Sequence, residues 1–243
     1  MFYLAGRRRD AFVFAKRRHR WHVRAMNRTD TNDDFQYSPM EEVANSISHG
    51  IGIALSIAGL SVLVTFAALH GDAWAVVSSA IYGASLVVLY STSTLYHSFR
   101  VPALKRLLRK FDHAAIFLLI AGTYTPFVLG PLRGPLGWGL FGVVWGLALA
   151  GIVLKFWFTG RFEALSTGVY IGMGWLIVFA LKPLIAAMSG TGIVLLVAGG
   201  LCYTGGVAFY TRTQMSYHHA IWHGFVLSGS ICQYFAVMDT IIR

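Results

Sequence analysis

The chain has 243 residues, of which 56% are hydrophobic and only 12% charged, with a mean hydropathy of +0.60 and a formal net charge of +10. A soluble domain carries about 25% charged residues, so this composition excludes a water-soluble globular protein and points to an integral membrane protein. The two cysteines, Cys202 and Cys232, lie inside apolar runs, which excludes a disulfide framework or a CxxC site.

Residues 1–40 hold nine Arg and Lys (Arg7, Arg8, Arg9, Lys16, Arg17, Arg18, Arg20, Arg24 and Arg28) against four Asp. No apolar run here is long enough for the core of a secretory signal. A mitochondrial transit peptide shares this composition, but a disordered cytoplasmic tail lying against anionic lipid is the expected state. Seven apolar segments follow, at 44–69, 74–97, 112–131, 135–157, 164–182, 191–211 and 218–240, each near the ~20 residues that span a bilayer. Short connections make residues 41–243 one seven-helix transmembrane domain, an all-α bundle. Recurrent glycines such as Gly168/Gly172 and Gly199/Gly200 allow close helix approach, and Trp74, Trp138, Trp157 and Trp222 fall near span ends.

The loops set the orientation. Arg100, Lys105, Arg106, Arg109, Lys110, Lys155, Arg161 and Arg212 lie on the side of the basic tail, whereas Arg133, Lys182 and Arg243 lie on the other. The positive-inside rule places the N-terminus in the cytoplasm and the C-terminus outside, the reverse of a G-protein-coupled receptor. Because the basic residues flank apolar spans, no nucleic-acid partner is expected; bilayer orientation and lipid attraction account for the charge.

Polar residues inside the spans gather at one depth. Span one carries Glu42, Asn45 and His49 on a single helical face; span two ends with Ser93 and His97, four apart; span three leaves the same side from Asp112; span seven leaves it with His219 and His223. Ionisable groups within a membrane are expensive and mark functional sites. Three imidazoles and an acid suit a catalytic zinc site: His97, His219 and His223 supply three nitrogens and leave a fourth position for water, whose pKa zinc lowers to about 7. All-imidazole ligation without thiolate favours zinc over iron or copper. His219-Ala-Ile-Trp-His223 lacks the Glu of the soluble metalloprotease helix, so the base must come from another helix. Asp112 is assigned that role, and Ser93 is set to bond the water or a substrate carbonyl. Each residue has a plainer reading. His97, His219 and His223 could bond headgroups or water, Asp112 could be a helix N-cap, and Glu42, Asn45 and His49 could be a supporting polar seam, the reading preferred over direct ligation. His113 and His218 are expected to be neighbours without a catalytic part, and His70 a loop residue on the outer side.

The set Glu42-x-x-Asn45-x-x-x-His49-Gly50, Ser93-x-x-x-His97, Phe111-Asp112-His113 with Ala121-Gly122-Thr123-Tyr124-Thr125-Pro126, and His219-x-x-x-His223 resembles the haemolysin III family. These proteins are the bacterial branch of the progestin and adiponectin receptor superfamily, related to alkaline ceramidases. The resemblance spans about residues 41–243 and implies seven helices, a cytoplasmic N-terminus and a zinc held by the three matched His, with Asp112 near the metal water. It also implies a place in a bacterial inner (plasma) membrane. The expected function is hydrolysis of membrane-lipid amide or ester bonds at the cytoplasmic leaflet, serving membrane lipid homeostasis. The alternative is non-enzymatic: a membrane sensor, or a pore-forming haemolytic protein, with structural zinc and Glu42 or Asp112 as fourth ligand. The nearly charge-free interiors of spans four to six argue against an ion pathway.

Overall fold

The computed structural model describes residues 37–242, and among them every regular element is a helix. The basic tail predicted over 1–40 lies outside the described residues as far as position 36. Seven spans are long and apolar enough to cross a bilayer: α1 (Pro39–His70), α2 (Ala73–Ser98), α3 (Pro102–Leu129), α4 (Pro135–Phe158), a composite fifth, α7 (Gly190–Tyr210) and α8 (His218–Ile241). The fifth consists of α5 (Glu163–Trp175), a 3-10 turn (Leu176–Ala180) and α6 (Leu181–Ala187). The predicted all-α, seven-span membrane architecture is the one observed.

The first helix shows how such a sequence chooses its faces. Pro39 takes the first helical position, where its missing N–H is not needed, and Glu41 and Glu42 meet the positive end of the dipole. Its buried stripe is Glu42, Asn45, His49, Gly52, Ser56, Leu63 and Ala67, whereas Ile47, Ile51, Leu55, Val62 and Phe66 face outward. Lipid requires an apolar exterior, so the polar and small residues turn inward, where they pack and bond between helices.

Neighbours in sequence are mostly neighbours in space. Helix α1 lies along α2, α2 along α3, α3 along α4 and α7 along α8, and α8 returns against α1. A Cβ at position 52 would overlap the Tyr90 ring, so glycine is what permits α1 and α2 to approach. That approach fixes a register in which Asn45 faces His97 and Ser46 faces Ser98. Deeper in the bundle Ser230 of α8 is a hub: Tyr90 Oη donates to its Oγ at 2.8 Å, Tyr82 Oη to its carbonyl at 3.3 Å, and Tyr203 Oη lies 3.0 Å from its Oγ. Buried hydroxyls thereby bond within the protein, as the absence of water in a bilayer demands.

Helix α1 begins five residues before the predicted 44, and two further elements depart more from the predicted spans. Helix α3 starts at Pro102, ten residues before the predicted 112, so Lys105, Arg106, Arg109 and Lys110 belong to a helix. Proline at its first position needs no N–H partner, and the turns that follow need not be apolar to stay helical outside the hydrocarbon. The fifth span is broken, and Pro183 supplies a cause: it has no N–H for the carbonyl of Phe179, four residues earlier, and its ring crowds that carbonyl. Tyr124 of α3 repairs the break. Its hydroxyl lies 2.8 Å and 2.9 Å from the carbonyls of Met173 and Gly174 and accepts the N–H of Ile177 at 2.8 Å.

Candidate metal centre

Three histidines converge where α1, α3 and α8 begin and α2 ends. His97 lies in the last turn of α2, and His219 and His223 stand one turn apart at the start of α8. All three are buried, and one potential ligand atom from each lies within 4.8 Å of the others. The ring centroids of His219 and His223 are 4.5 Å apart, and those of His97 lie 5.1 and 5.2 Å from them. A tyrosine in the left-handed region precedes the pair: Tyr217 has φ 57° and donates its N–H to Glu41 Oε1 at 2.8 Å, tying the start of α8 to the first turn of α1.

The first helix orients two of these rings. His97 Nδ1 is 2.6 Å from Glu42 Oε2, and Asn45 Nδ2 lies 3.5 Å from the same nitrogen. A carboxylate can only accept, so Nδ1 carries the proton and Nε2 presents its lone pair. His223 Nδ1 lies 3.2 Å from the Asn45 carbonyl oxygen and 3.0 Å from Ser48 Oγ, whose own proton goes to that carbonyl at 2.8 Å. Both neighbours therefore accept from His223 Nδ1–H, and its Nε2 is likewise the nitrogen left for a ligand. His49 stacks on His223, with centroids 3.4 Å apart and planes 13° apart, and neither of its ring nitrogens has a hydrogen-bond partner among the described residues.

This donor set fits a metal ion. It offers three imidazoles without thiolate, two of them held through Nδ1 by oxygen acceptors in the way metal-ligating histidines are held.

An apolar cavity of about 270 Å³ adjoins the imidazoles. His49, Ser93, Asp112, His219 and His223 line one end; Leu184 and Gln233 line the other. From His223 to Gln233 is ten residues of α8, about 15 Å of helical rise. Ser93 is buried, and its Oγ has no hydrogen-bond partner among the described residues. Asp112 lies well inside α3, whose N-cap is Val101, so the N-cap reading of its carboxylate does not hold. Asp112 and Ser93 thus stand on the cavity wall beside the imidazole group, with His49 also on that wall, and Glu42 and Asn45 stand behind it. His113 faces Glu163 at 3.6 Å, and His218 Nδ1 donates to the Phe209 carbonyl at 3.3 Å. His70 ends α1, exposed, with its ring stacked on Phe66.

Sequence reasoning missed two partners. Ser48, a serine within an apolar helix, carries no signal in the sequence that it reaches His223. Lys105 was read as an orientation charge, yet its side chain is 2% exposed and its Nζ lies 2.7 Å from Glu42 Oε1. The available signal was its spacing from Asp112: seven residues puts both on one face of α3, and both are buried. A second ionic group joins α3, α4 and α5 nearby, with Glu163 3.0 Å from Lys155 and 3.9 Å from Arg109.

The chain is similar to known proteins over most of its length. The family model described as "Haemolysin-III related" matches residues 37–234. A "Hemolysin-3 homolog" of Bacillus subtilis (strain 168) is 53% identical over 198 residues, covering 82% of this chain and 93% of the relative. "Hemolysin-3" of Bacillus cereus is 50% identical over 198 residues, covering 82% and 90%. The human "Monocyte to macrophage differentiation factor" is 29% identical over 232 residues, covering 90% and 93%.

Proposed function

The chain belongs to the haemolysin-III-related family, and from that premise we propose that it is a zinc-dependent hydrolase of lipid amide or ester bonds. It works at the cytoplasmic leaflet of a bacterial inner membrane and serves membrane lipid homeostasis. The carrying observation is the convergence of three buried imidazoles, two of which, His219 and His223, line one end of an apolar cavity. A zinc held by His97, His219 and His223 would supply hydroxide at neutral pH and polarise a carbonyl. The chain's own groups do the rest. The cavity takes the apolar tail of a substrate and shields it from water, Ser93 donates a hydrogen bond to the carbonyl oxygen, and Asp112 accepts the proton of the attacking water and passes it to the leaving group. A reacting bond at this depth suits a lipid whose head and tail straddle the interface.

Structural zinc would normally have four protein ligands. The observed group is three imidazoles with Asp112 beside it on the cavity wall, which favours the hydrolytic reading over the sensor or haemolytic one. The test is metal content by mass spectrometry on detergent-purified protein, followed by fatty-acid release from lipid amides and esters. We expect about one zinc per chain in the parent and in Asp112→Asn, and its loss in His97→Ala, His219→Ala and His223→Ala. Turnover should disappear in all four variants. Zinc lost in Asp112→Asn would make that carboxylate a ligand and the metal structural. Absence of metal after chelator-free purification would leave a polar helix seam.

A further inference from the structure

Lys105 is a long cation in the first turn of a membrane helix, where such side chains ordinarily extend to water. This one turns inward. Its Nζ donates to Glu42 Oε1 at 2.7 Å and to the Tyr96 carbonyl at 3.1 Å, and lies 4.5 Å from the centroid of the Tyr96 ring. The other oxygen of the same carboxylate, Oε2, accepts His97 Nδ1–H at 2.6 Å. Glu42 therefore lies between a buried cation from α3 and a candidate metal ligand from α2, one oxygen to each.

We infer that Lys105 is a positioning residue for metal binding: it holds Glu42 Oε1 and thereby aims Oε2 at His97. The inference rests on the metal reading above. A glutamate side chain has three rotatable bonds, and a single hydrogen bond to an imidazole leaves its carboxylate plane unfixed. The second attachment fixes that plane, and with it the direction in which His97 Nε2 points. Charge acts the same way, since a carboxylate that is 6% exposed needs a cation to remain buried. The Tyr96 carbonyl completes the clamp. It is one of the last four of α2, which have no partner within the helix, so the cation is locked to the helix end that carries His97. Four groups from three helices form one rigid unit: Lys105, Glu42, the Tyr96 carbonyl and His97.

The experiment measures zinc affinity by chelator competition on the full chain in detergent for the parent, Lys105→Met, Glu42→Gln and the double variant. Loss of an outer partner of a metal-ligating histidine weakens binding about 10- to 100-fold, and that loss is expected for Lys105→Met. In the Glu42→Gln background the same change should have no further effect, because Lys105 acts through Glu42. Lys105→Arg, which keeps a cation, should bind within a few-fold of the parent. Parent-like affinity in Lys105→Met overturns the inference, as does an equal further loss in the Glu42→Gln background, the mark of a simple staple between α2 and α3. If Lys105→Met is not recovered folded, Lys105→Gln replaces it with the same expectations. A parent that binds no zinc ends the metal reading itself, whereas a parent that binds beside an indifferent Lys105→Met ends only this inference.

Discussion

A histidine in a membrane helix is costly unless something engages it, so His97, His219 and His223 announced themselves in a 56% hydrophobic chain. What the sequence could not show is which nitrogen of His97 and of His223 turns toward the first helix. That depends on Glu42, Asn45 and Ser48, whose partners lie 52 to 178 residues away. Lys105 was hidden for a related reason: within Lys-Arg-Leu-Leu-Arg-Lys its charge reads as orientation, and only the helix that begins at Pro102 turns it inward. The two outer shells differ in redundancy. His97 leans on one carboxylate, whereas His223 Nδ1 has both Ser48 Oγ and the Asn45 carbonyl. Ser48→Ala is therefore expected to weaken zinc binding only a few-fold, less than Glu42→Gln, by the same chelator competition.

Among the elements, four of the seven spans were legible to within about one residue at each end, because length and hydropathy alone define a bilayer crossing. The start of α3 was not, since its first turns are basic and lie beyond the apolar window. The break in the fifth span left a trace in Pro183, but its repair by Tyr124 depends on a residue 53 positions away from the bonded Ile177 N–H. Tyr124→Phe removes every one of those bonds. It should lower stability by about 1–3 kcal/mol, seen as a lower thermal midpoint in detergent, with zinc affinity unchanged. At the opposite end of the bundle Asp72 caps α2, accepting the Ala75 N–H at 2.9 Å and Arg133 Nη1 at 2.6 Å. The Ala75 N–H first, and then Arg133, hold its carboxyl below the ordinary aspartate range. A carboxyl depressed in the fold adds stability above its unfolded value and loses it as pH falls through the folded one. Acid titration should thus loosen this corner only below the ordinary aspartate range. The effect should be small for so exposed a pair and absent in Asp72→Asn, as measured by thermal midpoint against pH.

For the molecule as a whole, the family match and the seven spans fix a membrane protein, while the direction of insertion rests on charge. Arg100, Arg106, Lys110, Arg161 and Arg212 belong to the end that carries the histidines, and Arg133 and Lys182 to the other. With Cys202 and Cys232 replaced by serine, an impermeant thiol reagent should label Arg133→Cys on intact cells and Arg161→Cys only after permeabilisation. The reverse pattern would turn the protein over. On the proposed reading, metal removal would also act globally, because the candidate ligands belong to α2 and α8 and their supports to α1. Zinc present at 100 times its dissociation constant stabilises a protein by about 2.7 kcal/mol. Chelation should lower the thermal midpoint of the parent and of Asp112→Asn alike and leave His223→Ala unmoved.

The contact of α1 with α8 also bears on how the protein is made. Glu42, Asn45 and Ser48 are synthesised before His97, and His219 and His223 more than a hundred residues after it, five spans later. The ribosome must deliver almost the whole chain before the site exists, so a nascent protein stopped after α7 carries His97 alone of the three imidazoles. Under the proposed metal reading, uptake of an ion would await the packing of α8 against α1.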